Sequence, residues 1–457
     1  MAKVLLIQPN DDIRNKSIKS DACTPLSLIY IGTAIQDKHS VKIYDRNLNV
    51  SDKYLLEFLK KYNPDIIAFT SMTSLMLIDL IHLARLIKKK FPEKIIVTGG
   101  IHATLEPKSF MNEHYIDYVI KGEGEETFLE FCDTFDKDKK ELGKLRNINL
   151  NSLRPYIQMN NLKLPNYNLV DLKKYEHFYV SVSRGCPGNC TFCATAKCWG
   201  INEKPFVRVF SQEKCVKLFK KIVEDYKIKT FEIVDDNFLA FKPMAFEVCK
   251  YLQNKNVNFW CFSRVDYIDD KILKELNNAG CHTIQIGAES GSQRVLDFLN
   301  KGVIVKQNID AILCCKRNNI TCDASFMIGL PTETLDEMKE TINLIKKYQP
   351  DIPNVKIYNP LPGAPLFDYC VKNKLIKKPK TLEEWALWTG NHRTVNHNVS
   401  TTTTKNLIKT AQDLWKINYY NTRIKKLIFW VKAGNFRNVF NGFRKFITSK
   451  GKLYIQK

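Results

Sequence analysis

The sequence predicts an α/β protein: a doubly wound parallel sheet, then an incomplete (β/α)6 barrel, then a mainly helical C-terminal region. Three observations carry this expectation. Short apolar, β-branched runs alternate with longer helical patterns over the first 135 residues. The alternation starts afresh near His177 and repeats six times. The turns after several of these runs hold glycine or small polar residues, as at the carboxyl edge of parallel sheets, where ligands bind.

In the first series the expected strands are KVLLIQ, VKIYD, DIIAFTS, KIIVTGG and DYVIKGEGE. Residues 24–36, 53–62 and 74–90 carry helical spacing, the last stopping at Phe91-Pro92, where proline cannot continue a helix. This reads as a flavodoxin- or Rossmann-like sheet over residues 1–135. Its strand ends would bring together Thr70-Ser71, Gly99-Gly100-Ile101-His102-Ala103 and Gly122-Glu123-Gly124. Residues 136–175, charged and then Asn-rich with Pro155 and Pro165, read as a connection.

The second series gives HFYVSVS, KTFEIVD, VNFWCFS, HTIQIGA, CDASFMIG and NVKIYNPL. Helical patterns fall at 211–226, 242–254, 269–279, 292–299, 305–318 and 333–348. Six β/α units over 176–375 favour a partial TIM-type barrel over a second open sheet, with functional side chains at the strands' C-terminal ends. Residues 376–457 form the basic, mainly helical C-terminal region.

Composition sets the class. With 457 residues, 44% of them apolar, the chain can bury the cores of two or three domains and is not a disordered protein. No run approaches the roughly 20 apolar residues of a membrane span and no signal-peptide pattern opens the chain, so the expected address is the cytoplasm. Fourteen cysteines scattered along such a chain are mostly small buried hydrophobes, not a disulfide scaffold. The net charge is +22, but residues 405–457 hold 13 Lys or Arg against Asp413, so the tail alone contributes +12. That concentration argues against a nucleic-acid-binding surface over the whole molecule. Residues 427–432 and 440–446 mix apolar and basic side chains, which suits either packing onto the barrel or peripheral contact with a membrane.

The chemistry is concentrated in Ser183-Arg184-Gly185-Cys186-Pro187-Gly188-Asn189-Cys190-Thr191-Phe192-Cys193. Three thiols within eight residues, separated by three and two others, can converge on one soft metal centre, with glycine and proline relieving the tight turns. A structural zinc site wants four closed ligands, and Cys198 keeps that alternative open; three thiols leave an iron–sulfur cluster one open position. This loop resembles the signature of the radical S-adenosylmethionine superfamily, with Cys186, Cys190 and Cys193 spaced as CxxxCxxC and the aromatic Phe192 before the third thiol. Later strand ends extend the resemblance across the barrel: Asp235-Asp236-Asn237-Phe238, Ser263-Arg264-Val265-Asp266, Gly287-Ala288-Glu289-Ser290-Gly291, Gly329-Leu330-Pro331 and Pro360-Leu361-Pro362-Gly363.

The resemblance implies a [4Fe-4S] cluster on the three cysteines whose open iron is chelated by S-adenosylmethionine, and reductive cleavage of that cosubstrate to methionine and a 5'-deoxyadenosyl radical. An amino-acid zwitterion needs a carboxylate for its ammonium and a cation for its carboxylate, roles for which Glu289 and Arg264 are the candidates. Gly287, Ala288 and Gly291, flanking the further candidate Ser290, would let backbone approach the cosubstrate, Phe192 would flank adenine and Asp236 would bond ribose or substrate.

Residues 1–135 resemble the cobalamin-binding module that precedes the barrel in many radical enzymes, including methyltransferases and the anaerobic porphyrin-ring cyclases. The resemblance places Thr70, Ser71, Gly99, Gly100 and His102 against the cofactor. The DxHxxG pattern is absent, so Pro9-Asn10-Asp11-Asp12 offers no axial imidazole and cobalamin would be held without a lower histidine ligand. The expected activity is cobalamin-dependent methylation of an unactivated carbon, with a radical cyclase or oxidoreductase as the enzymatic alternative and a metal-stabilised nucleic-acid- or membrane-binding protein as the non-enzymatic one. Methylthiotransferase chemistry is disfavoured, because only Cys23 and Cys132 precede the barrel and a second cluster needs three cysteines there. The implied partners are a small-molecule or lipid-like substrate and a low-potential electron donor such as flavodoxin or ferredoxin.

Overall fold

The computed structural model describes residues 1–11, 22–152, 154–200, 204–388 and 397–413. The basic segment 414–457, on which the expectation of membrane contact rests, lies outside them.

The first sheet is fully parallel, with strands β1 (Lys3–Gln8), β2 (Ser40–Asp45), β3 (Ile66–Ser71), β4 (Ile95–Gly100) and β5 (Tyr118–Val119) in the order β2-β1-β3-β4-β5. Each expected strand is present. The last is short, because the chain turns at Gly122 with φ +70° and Ile120 bridges back to Ile148. Helices α1 (Leu26–Ile35), α2 (Asp52–Tyr62), α3 (Met76–Lys90), α4 (Ile101–Leu105), α5 (Lys108–Met111) and α6 (Glu125–Lys137) cover the two faces. α2 shows why such segments form: Ser51 caps its N-terminus by accepting the Tyr54 N–H, Leu55 and Leu59 make its buried stripe, and Asn63 ends it in the left-handed region.

The second sheet is parallel and six-stranded. It holds β6 (Tyr179–Val180), then, after a separate antiparallel pair β7 (Ser183–Cys186) and β8 (Phe206–Val209), the strands β9 (Thr230–Ile233), β10 (Asn258–Arg264), β11 (Cys281–Glu289), β12 (Thr321–Ile328) and β13 (Ile352–Ile357). The order β13-β12-β11-β10-β9-β6 follows the sequence, which is the partial barrel expected. Helices α7 (Thr195–Trp199), α8 (Gln212–Lys220), α9 (Lys242–Leu252), α10 (Asp270–Asn278), α11 (Gln293–Phe298), α12 (Val305–Arg317) and α13 (Leu335–Tyr348) lie along it.

The structure corrects one strand. HFYVSVS does not run through as a single strand with the cysteines behind it. The buried Asp235 at the end of β9 accepts the Val182 N–H at 2.9 Å and the Ser183 hydroxyl at 2.5 Å, which draws the chain out of the sheet after Val180. The cysteine loop therefore starts on β7 and is braced by β8.

The connection at 136–175 is packed, with Ile157, Met159, Leu162 and Tyr167 buried in the barrel core. Past the barrel, α14 (Pro365–Lys372) and α15 (Leu382–Trp388) return to the first sheet's side, where Phe367, Trp385 and Trp388 share a core with Leu80 and Leu83 of α3. Apolar burial at about 25 cal/mol per Å2 makes this swath, which draws side chains from both sheets, a major adhesive between them.

Glu333, in the loop after β12, is fully buried; one oxygen accepts the Gly329 and Leu330 N–H groups at 2.7 and 3.0 Å, and the other has no hydrogen-bond partner. Burial pushes its carboxyl up to about 7, the two N–H bonds pulling the other way. The folded state thus holds this proton more tightly than the unfolded chain, so the site's contribution is fully present near pH 4 and is lost as pH rises towards 7, a loss of about 3 kcal/mol. Glu333→Gln keeps a neutral acceptor there. Its stability relative to the parent, read from urea midpoints at pH 5, 6.5 and 8, is expected to rise with pH; parallel curves would show that Glu333 does not titrate.

Candidate functional site

The cysteine loop is fixed by backbone constraints and by charge. Gly185 has φ +91°, and a Cβ there would fall 2.1 Å from the Phe206 carbonyl oxygen, so only glycine lets β7 lie against β8 at this point. Gly188 leaves the space that the Arg264 guanidinium fills, a Cβ there falling 2.5 Å from Nη1. The loop's back is tied at Thr191, whose N–H donates to the Leu299 carbonyl at 2.9 Å and whose carbonyl accepts the Leu366 N–H at 2.7 Å.

Cys186, Cys190 and Cys193 lie on this loop, each half-buried. Donors surround the sulfurs: Gly188 N–H at 3.5 Å from Cys186, Thr195 N–H at 3.5 Å from Cys193, and Arg264 Nη1 at 3.4 Å from Cys190. Burial pushes the Cys186 thiol up to about 11, with the Gly188 N–H and Arg264 pulling it down; burial also raises Cys193. Thiolates here need a bound cation, as at metal centres. Cys198 is buried on α7, its thiol raised to about 12 by burial.

The other strand-end residues form a ring around the loop. Arg264 at the end of β10 is 8% exposed, and its guanidinium is already engaged: Nε and Nη2 donate to Asp266, and Nη2 also to the Lys301 carbonyl at 2.7 Å. Glu289 ends β11 with φ +61° at a register shift and accepts the Lys301 ammonium at 2.8 Å, with both side chains buried. Gly287 leaves room for that ion pair, since a Cβ would lie 2.3 Å from the Glu289 carboxylate. The Lys301 ammonium also lies 5.8 Å from the centre of the Phe192 ring. Sequence reasoning missed Lys301; its signal was a lone basic residue in the loop following α11. Asp236 is exposed and accepts the Gly185 N–H at 3.1 Å, partial desolvation raising its carboxyl. Ser290 faces inward, bonded to Thr341 and to the Ser292 N–H.

At the carboxyl edge of the first sheet, Gly100 has φ +95° and a Cβ there would lie 2.7 Å from the Ser71 carbonyl oxygen. Ser71 is buried, donating to the Gly99 carbonyl at 2.6 Å. A cavity of about 140 Å3 opens over these strand ends, lined by Thr70, Gly99, Gly100, Gly122 and, from the barrel side, Arg184 and Trp199. His102 is not in it. Its ring is fully buried between Phe110 and Trp385, with Nδ1 against Thr73 at 2.8 Å and Nε2 against Ser109 at 3.2 Å, and burial pushes its pKa down to about 3. The expected cofactor contact at His102 gives way to a packing role, because both ring nitrogens are used inside the module.

Arg184, two residues before Cys186, crosses to the first module. It pairs with Glu123 at 2.5 Å and with Glu125, and Glu123 also binds Arg208 of β8 at 2.9 Å; all four side chains are buried or nearly so. Burial alone would raise the Glu123 carboxyl, but the two guanidiniums hold it below the usual range. The cavity at the first sheet's edge and the thiol loop therefore share one wall.

A three-thiol loop at the end of a partial parallel barrel, sharing the Arg184 wall with the strand-edge cavity of a doubly wound sheet, defines a two-module enzyme with its metal-binding loop at the junction. Residues 180–345 match the family model of the radical SAM superfamily, and residues 17–131 that of the B12 binding domain. An uncharacterised methyltransferase of Pyrococcus horikoshii is 33% identical over 82% of this chain and 84% of its own length. The anaerobic magnesium-protoporphyrin IX monomethyl ester cyclase of Cereibacter sphaeroides is 28% identical over 75% of this chain and 61% of its own. Among solved structures, the radical S-adenosylmethionine methyltransferase TsrM from Kitasatospora setae, with cobalamin and a [4Fe-4S] cluster bound, superposes with a TM-score of 0.72 at 14% identity, covering 91% of this chain and 89% of that one. This chain belongs to the cobalamin-dependent radical S-adenosylmethionine methyltransferase family. Its cofactors are accordingly a [4Fe-4S] cluster, S-adenosylmethionine and cobalamin. The residues present fit them: donors aimed at the sulfurs suit anionic thiolates, and the cavity over Thr70, Gly99 and Gly100 suits a group laid across the strand ends. Among the described residues no helix is long and apolar enough to cross a membrane.

Proposed function

We propose that the chain transfers a methyl group to an unactivated carbon of a small molecule, with Cys186, Cys190 and Cys193 holding the cluster. The cluster and cosubstrate supply the radical that activates the carbon, and cobalamin supplies the methyl group. The observation that carries this reading is the shared wall, Arg184 with Glu123 and Glu125, which sets the thiol loop beside the first sheet's ligand edge.

Lys301 and Glu289 bind the methionyl zwitterion of the cosubstrate. Arg264 was the sequence candidate for the carboxylate, but Asp266 and the Lys301 carbonyl already hold it and its remaining nitrogen points at Cys190, so it orients the loop. The Glu289–Lys301 ion pair is itself split by a zwitterion: the incoming ammonium takes Glu289, and the incoming carboxylate takes Lys301. Phe192 flanks adenine beside that pair, and Asp236, bonded to the Gly185 N–H at the start of the loop, bonds the ribose. Thr70, Gly99 and Gly100 line the cobalamin cradle, to which Ser71 contributes by fixing the Gly99 carbonyl. No histidine serves as a lower ligand. The reductant is a low-potential one-electron donor.

Anaerobically reconstituted protein, reduced with excess S-adenosylmethionine with and without hydroxocobalamin, tests the reading. Cluster-dependent 5'-deoxyadenosine together with cobalamin-dependent S-adenosylhomocysteine is expected. Deoxyadenosine without homocysteine product would favour ring closure, the chemistry suggested by the likeness to the Cereibacter cyclase. Lys301→Met is expected to weaken cosubstrate binding about 10- to 100-fold, the size of one lost charged hydrogen bond, in a titration followed by cluster EPR. Unchanged affinity would remove Lys301 from the site.

A further inference from the structure

The cavity at the first sheet's edge continues inward as an apolar slot. Between the sheet and the layer of α1 and α6 it is lined by Leu6, Leu28, Ala68, Val97, Ile120 and Phe128, all members of the module's own core. Ala68 and Val97 stand two residues, about 7 Å, before Thr70 and Gly99 on their strands. The polar lining stays at the mouth: Glu123 and Glu125 hold Arg184, the Tyr30 hydroxyl donates to the Ser181 carbonyl at 3.2 Å, Ser27 is exposed and Thr70 half-buried. The backbone of the slot is engaged as well, because β1, β3 and β4 are each paired on both sides. Gly99 keeps the slot open. Its backbone lies outside the left-handed region, and an added Cβ would meet nothing nearer than Ile120, at 3.8 Å. Gly100 differs, since its own backbone requires glycine.

An unfilled apolar cavity costs stability, and alanine at position 99 would begin to fill this one without a clash. A packing flaw therefore accounts for the space but not for the glycine; a bound group accounts for both. Of a corrinoid, the nucleotide tail is the part narrow enough to enter between a sheet and one helical layer. We propose that this slot selects among corrinoids by the base of that tail, taking the dimethylbenzimidazole of cobalamin and rejecting a purine; the inference rests on the functional reading above. Dimethylbenzimidazole presents a carbocyclic edge with two methyl groups, which apolar walls accept. Adenine presents an amino group and further ring nitrogens, which would lose their water in the slot and find no partner there. The selection is noncovalent, and it acts on which cofactor is loaded rather than on any step of the reaction.

The test is equilibrium dialysis of the full-length protein against hydroxocobalamin, its adenine-base analogue and cobinamide, which lacks the nucleotide. The parent is expected to hold hydroxocobalamin about 10- to 100-fold more tightly than the adenine analogue, the size of one or two polar groups buried without partners. Gly99→Val, whose side chain enters the slot, is expected to weaken hydroxocobalamin to the level of cobinamide while cobinamide itself binds as before and the far-ultraviolet circular dichroism matches the parent's. Should Gly99→Val not fold, Ala68→Val fills the slot from β3 and is read in the same way. Equal affinity of the parent for hydroxocobalamin and the adenine analogue would overturn the proposal and leave the functional reading standing. So would equal losses of hydroxocobalamin and cobinamide in the filled variants, which would put the corrin ring rather than the base against these residues. Failure of the parent to take up any corrinoid would defeat the functional reading and the selection together.

Discussion

Cys190→Ala is expected to abolish deoxyadenosine formation altogether while leaving hydroxocobalamin binding intact. The thiol is the middle one of the three and the one that Arg264 Nη1 addresses at 3.4 Å. Removing it leaves two thiols and a guanidinium aimed at an empty position. Two cysteines cannot hold three corners of a cubane, so iron and sulfide content after reconstitution should fall with the activity. The strand-edge cavity proposed for cobalamin lies at the ends of β3 and β4 in the other module, and the cobalamin spectrum upon titration should match the parent's. Retained iron, sulfide and cleavage in the Ala variant would show that another residue, Cys198 foremost, serves as the third ligand.

Arg184→Gln is expected to cost about 3–5 kcal/mol, the penalty for taking one partner from a buried charge pair. Glu125 loses the arginine that faces it, and Glu123 keeps only Arg208. The same arginine lies 5.5 Å from the ring centres of both Tyr30 and Trp199, so packing is lost as well as charge. Urea unfolding followed by circular dichroism checks the magnitude. A purely structural role would lower stability and leave the spectra alone. A shared wall predicts more: cobalamin binding and the cluster EPR signal should both change in the Arg184→Gln protein while it is still fully folded. Unchanged spectra and a loss under 1 kcal/mol would mean that the modules are held by the Phe367, Trp385 and Trp388 core instead.

The Glu333→Gln and Lys301→Met variants probe two further buried acids, and the contrast between them is instructive. Glu289 keeps a cation within 2.8 Å, whereas Glu333 has only N–H donors on one oxygen, and burial raises it to about 7.

The local code of the sequence was enough for the architecture. Alternation with periods of two and 3.6 placed five strands and then six β/α units, because in parallel sheets each strand is buried on both faces and writes a continuous apolar run. Turn chemistry was enough for the loop, since three thiols among Gly185, Pro187 and Gly188 have few other uses. The cobalamin module was readable from its strand ends for the same reason. What the sequence could not contain were the choices made between distant residues. HFYVSVS looks like one strand until Asp235, more than fifty positions on, takes the Val182 N–H. Arg264 looks like a free cation until Asp266 and the Lys301 carbonyl occupy it. His102 looks like a ligand in a glycine-rich loop until Thr73, Ser109 and Trp385 close around it. Periodicity and motif spacing thus determined the fold and the cofactor class, because each is written in neighbouring residues; only the tertiary structure decided which buried charges pair, because desolvation lets a charge persist only where the fold supplies its partner.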